Sequence, residues 1–268
     1  MLLNLGGRNF DYAPPNESYV AIAPQADQST IKLLRGTTDS MLTGQQAELF
    51  DAFIKDDAEC VRREMEKEAS PSLGKSLFMA AETGAVKAAK VLLELGADAN
   101  VQSDGDHTGG ESVLIAAAAE NQAEIVALLL EHNANIHFKD PQYGHTAFTA
   151  ASTNGKFQAS KVLLEGGSDI NHCAISGVFA LLAAAEDGEL DLVVLLIEHG
   201  CDVNQSNPVD ARTPLAAAVE HGHTAIAHML IENGATLLCD DDNGGNNPAY
   251  IRTVCNSRRL AFAPLMRR

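Results

Sequence analysis

Three places in the sequence hold residue types that can do chemistry. Leu73-Gly-Lys-Ser76 contains the Gly-Lys-Ser of a loop that cradles a nucleotide's phosphates with backbone amides and a lysine. That loop also requires a glycine five positions before Gly74, and Ala69 stands there, so nucleotide binding is not expected. His172-Cys173 and His199-x-Cys201 offer the nitrogen and sulfur that zinc prefers. Adjacent residues on a strand-like hairpin point to opposite sides, and the five cysteines include no CxxC pair, so these read as loop residues. A Cys-His nucleophile would need an orienting carboxylate and an oxyanion site, and nothing in the chain designates either. No catalytic, cofactor-binding or metal-binding residue is expected, and the chain does not read as an enzyme.

The elements that position these residues follow from composition and period. The 268 residues are 46% apolar but only 5% aromatic, and Ala and Leu fall in short blocks such as Leu114–Ala119 and Leu181–Ala185, which suit closely packed helices. The formal charge is −17, which disfavours nonspecific contact with nucleic acid or an anionic membrane. Residues 1–251 hold 14 basic and 36 acidic side chains, whereas Arg252, Arg258, Arg259, Arg267 and Arg268 follow with no acid after Asp242. An acidic body thus ends in a basic segment. Odd, scattered cysteines and the lack of any apolar run near the ~20 residues that span a bilayer lead us to expect a cytoplasmic chain in a reducing compartment, the nucleus included.

A two-part pattern repeats along the middle of the chain. Lys75-Ser-Leu-Phe-Met-Ala-Ala-Glu-Thr-Gly84 is followed by Val91-Leu-Leu-Glu-Leu-Gly-Ala-Asp-Ala-Asn100, and equivalents begin at Ser112, Thr146, Phe179 and Thr213. The starts lie 37, 34, 33 and 34 residues apart. The pattern resembles the ankyrin repeat, whose core reads T-P-L-H-x-A-A-x-x-G-H, then I-V-x-x-L-L, then G-A-D-V-N. The resemblance implies an all-α solenoid of stacked helix pairs with short β-hairpin-like loops, a monomer by itself or a subunit of a hetero-complex. Ser112, Thr146 and Thr213 suit helix N-caps, and Gly84, Gly155, Gly188 and Gly222 suit the turn between paired helices.

Five repeats are expected over 71–238, after a diverged capping repeat at 41–70 whose Leu49, Ala52, Phe53, Val61 and Met65 form one apolar face. A half-repeat follows at 239–257, with a basic tail at 258–268; residues 1–40 form an extended or partly disordered arm. The motif's His is replaced by Phe78, Ile115, Thr149, Leu182, Ala216 and Tyr250, so its polar network is expected to be missing. Lys75 and Phe179 lack a capping oxygen, and Ser152 and Val219 replace the usual Ala, which predicts marginal stability where repeats three and four meet.

The resemblance also implies where a partner binds: on the concave side, at the hairpins and the exposed ends of the first helices. Carried over by position, the candidates are Glu82, Thr83, Glu111, Glu120, Tyr143, His145, Thr153, Asn154, Glu186, Asp187, Asp210, Arg212, Glu220 and His221. Acids recur among them, so a non-catalytic scaffold or adaptor holding a basic peptide or protein is expected. The alternative is a structural subunit built stably into a larger multiprotein assembly. Asn100, Asn171 and Asn204 occupy a position that is hydroxylated in some ankyrin proteins, although the turn alone accounts for Asn there.

Overall fold

The structure is a computed structural model that describes residues 44–67, 72–103 and 110–236; the expected N-terminal arm, C-terminal half-repeat and basic tail lie outside them. The described residues form helices and loops with one isolated antiparallel bridge, Gln102 to Ser112, and no strand. The helices come in pairs. A first pair, α1 (Gly44–Ile54) and α2 (Ala58–Met65), is followed by α3 (Leu73–Thr83) and α4 (Val86–Glu94), then α5 (Val113–Ala119) and α6 (Ala123–Glu131). Next come α7 (Ala147–Thr153) and α8 (Phe157–Glu165), α9 (Ala180–Asp187) and α10 (Leu190–Glu198), and α11 (Pro214–His221) and α12 (Thr224–Glu232).

Local chemistry sets the helix ends. Ser112, Thr146 and Thr213 each accept a hydrogen bond from the amide three residues on, satisfying a donor that the helix leaves orphaned. The first full repeat departs from expectation: Lys75 lies inside α3, one turn past the true cap Ser72, whose hydroxyl accepts from the Lys75 amide. Phe179 begins α9 with no side-chain cap. The turn glycines Gly84, Gly188 and Gly222 take φ of +74°, +82° and +80°, and Asn121 fills the equivalent place at +61°. The polar network expected to be missing survives at one position. Thr149 Oγ1 accepts from the Thr146 amide at 2.7 Å and donates to the Thr146 carbonyl at 3.0 Å, closing a capping box. Ser152, buried where Ala is usual, is satisfied by the Ser160 hydroxyl at 3.2 Å.

Small side chains then set the packing. The first helices α3, α5, α7, α9 and α11 stack into one layer and the second helices into another behind it, with α1 and α2 placed on α3 and α4. The Ala-rich first helices approach one another more closely than the Leu-rich second helices do. A stack whose one layer is tighter than the other must curve toward the tighter side, so the face carrying the first helices and hairpins is the concave one. The core runs continuously between the layers, from Phe53 and Val61 through Leu77, Leu92, Ile125, Phe148 and Leu163 to Leu196 and Leu230. Across the first junction, Arg62 pairs with Glu94 at 2.7 Å.

Candidate functional site

Each hairpin is built by side chains that hold backbone. Asp140 is buried and its carboxylate accepts from the amides of Gln142, Tyr143 and His145 at 3.0, 2.6 and 2.6 Å, which fixes the turn projecting Tyr143. Asn207 does the same for the last hairpin, accepting from the Val209 amide at 2.8 Å. Successive fingers rest on each other. The Ile175 amide donates to the Tyr143 carbonyl at 2.9 Å, and His172 Nε2 lies 2.8 Å from the Gly144 carbonyl oxygen. A Cβ at Gly144 would sit 2.9 Å from Ile175 Cγ1, so only glycine admits this contact. At the tips, Tyr143, Ile175 and Val209 are 38%, 68% and 72% exposed.

Beneath the fingers, the face divides into two electrostatic zones. Glu82 at the end of α3, Glu111 before α5 and Glu120 at the end of α5 crowd together with no ion pair to any described residue. Burial, then the charges of Asp140, Glu82 and Glu120, push the Glu111 carboxyl up to about 7. Glu82 is raised as well, by burial and then by Glu120. At the other end the acids are already neutralised. Arg212 reaches Glu186 at 2.9 Å and Glu220 at 3.2 Å, while ring nitrogens of His221 and His223 both lie 3.1 Å from the Glu186 carbonyl oxygen.

The remaining candidates differ in what they leave available. Thr83 and Thr153 donate their hydroxyls back to the carbonyls of Met79 and Thr149, both at 2.7 Å, and Asn154 donates to the Ala150 carbonyl at 2.8 Å. Those groups are committed to their own helices. Asp210 accepts from the Arg212 amide at 3.1 Å, and Asp187 is exposed at the end of α9. His145 lies 6.2 Å from the Tyr143 ring with a buried Nδ1 that has no partner, and burial lowers its pKa. The sequence places no distance between Glu82 and Glu111; the stack brings them into one electrostatic group.

On the hairpin bases, the asparagines do more than turn. Asp98, Asn135, Asp169 and Asp202 each accept from the amide two residues on, at 2.9 to 3.1 Å. Asn100, Asn171 and Asn204 then cross to the next repeat, accepting from the amides of Asn135, Asp202 and Thr236 at 2.7, 3.0 and 2.9 Å. Sequence reasoning missed a second set of crossings. Asp56 and Asn121, both at positive φ, accept from the amides of Ala88 and Ala159 at 3.0 and 3.1 Å. The signal for these was an Asp or Asn at the turn-glycine position. Burial also holds the Cys173 thiol up and pushes Cys201 to about 11, which disfavours a thiolate nucleophile at either position.

Paired helices in two layers, joined by hydrogen-bonded fingers, define a repeat solenoid. A family model of ankyrin repeats matches residues 77–174 and 170–241, and the chain belongs to the ankyrin repeat family. It is similar to the ankyrin repeat and KH domain-containing protein mask-1 of Caenorhabditis elegans, 29% identical over 118 residues, 44% of this chain and 4% of that protein. The ankyrin repeat and KH domain-containing protein CBG24701 of Caenorhabditis briggsae is 29% identical over 123 residues, 45% of this chain and 4% of its own length. The match thus spans about 4% of each relative's length. Ankyrin repeats are typically non-catalytic and act in protein-protein interaction. Among the described residues, no helix is long and apolar enough to cross a membrane.

Proposed function

We propose that the chain is a non-catalytic protein-binding scaffold or adaptor whose concave face takes a basic segment of its partner. The observation that carries this reading is the group Glu82, Glu111 and Glu120, where burial and then repulsion, Asp140 included, push the Glu111 carboxyl up to about 7 with no cation among the described residues paired to it. An arginine or lysine brought there relieves the repulsion and gains charge-assisted hydrogen bonds. At the other end of the face, Arg212 already occupies that role between Glu186 and Glu220, so the free attraction lies on the first two repeats.

Fluorescence anisotropy with labelled octa-arginine tests this. Binding is expected to weaken as salt rises from 50 to 300 mM, and by about tenfold or more in Glu82→Gln/Glu111→Gln/Glu120→Gln, with the circular dichroism spectrum unchanged. Equal affinity of the folded triple variant and the natural sequence would remove the acidic group from the reading.

A further inference from the structure

The fingertips present a feature that charge alone does not use. Tyr143, Ile175 and Val209 stand in a row on consecutive hairpins, exposed and apolar, and the row is rigid because Gly144 packs on Ile175 and Gly177 on Asn207. Three large apolar side chains on fixed supports above an acidic face suit a ligand that alternates apolar and basic residues. One stretch of this chain has that character. Residues 252–268 carry five arginines and no acid, with Leu260, Phe262, Leu265 and Met266 among them.

We infer that the segment Arg252–Arg268 is an internal ligand of the concave side, laying its apolar residues on Tyr143, Ile175 and Val209 and its arginines toward Glu82, Glu111 and Glu120 at the Tyr143 end of the row. The 15 residues 237–251 after Thr236 can extend about 50 Å, whereas hairpins on adjacent helix pairs are only about 10 Å apart, so the whole row is within reach. Tethering sets an effective concentration of about 1 mM, enough for a weak segment to occupy the face. The inference rests on the acidic face accepting basic chains, and it adds that a partner must displace the chain's own arginines. Recognition is then competitive, and raising or masking the segment's charge regulates it.

The test uses the full chain and the same octa-arginine probe. Arg258→Gln/Arg259→Gln/Arg267→Gln/Arg268→Gln is expected to bind the probe about tenfold more tightly than the natural sequence. Equal affinity in both overturns the internal ligand and leaves the acidic-face reading standing; no binding by either overturns both. A photo-crosslinker at Tyr143 separates the occupants, in a mixture of isotope-labelled and unlabelled chains. Links to residues 252–268 within one chain support the inference. Links only between chains identify a second copy and overturn it, as does the absence of any link to that segment.

Discussion

Glu111 shows how a single side chain records its surroundings. Its carboxyl, ordinarily near 4.5, is held at about 7 because burial removes water and because Asp140, Glu82 and Glu120 all oppose its charge. A raised carboxyl pKa means that the folded chain binds more protons than the unfolded chain between the two values. The group therefore leaves stability untouched below about 4.5, erodes it as pH rises toward 7, and costs its full amount above that. Glu111→Gln is expected to match the natural sequence in urea denaturation at pH 4 and to exceed it by about 1–3 kcal/mol at pH 8. An identical difference at both pH values would show that proton linkage is not the cause. Nothing in the linear sequence exposes this, because Glu82, Glu111 and Asp140 are far apart along the chain and meet only after stacking.

Between elements, the informative comparison is one junction with the next. Asn100, Asn171 and Asn204 cross from repeats one, three and four, but repeat two has His137 in that place, and the rung between repeats two and three is missing. His137→Asn is expected to restore it and raise unfolding stability by about 1 kcal/mol, read from the urea midpoint at unchanged m-value. A fall in stability would show that the His137 side chain has a role of its own. The caps, the turn glycines and the Leu pairs were legible because each is a local need met by a residue type. The Ser72 cap was not, since the aligned motif drew attention to Lys75 and α3 simply starts one turn earlier. Thr149 was misread for a similar reason: a hydroxyl supplied bonds that had been credited to a histidine.

For the whole molecule, stability is close to a sum over neighbours, so the weakest junction decides where the stack opens first. The uncapped Phe179 pointed to the meeting of repeats three and four. Asn171 crosses there, whereas His172 and the Ile175 amide reach Gly144 and Tyr143 of repeat two and so brace the meeting of repeats two and three, as Asn121 does. The meeting of repeats two and three lacks its asparagine rung but keeps these other crossings, so the expected opening stays at repeats three and four, between α8 and α10. Native-state hydrogen exchange is expected to show a sub-global opening that separates α8 from α10 at lower free energy than α6 from α8; the reverse order would overturn this expectation. Five units and their order could be read from the sequence, whereas the acidic zone and the fingertip row required the curvature that alanine packing imposes.

The turn glycines carry one more consequence. A Cβ on Gly84 would meet Gln122, on Gly155 Glu189 and on Gly188 His223, in each case a side chain that opens the second helix of the following repeat. Every empty space is thus fitted by a neighbour rather than by its own unit, and so is every asparagine rung. A repeat cut at its sequence boundaries and moved along the stack would lose both partners. Cut instead across the middle, from one second helix to the next first helix, it would still lose them, because Gly84 and Gln122, like Asn100 and Asn135, stand about one repeat length apart. The smallest piece of this chain that carries its own fit is therefore a pair of neighbouring repeats.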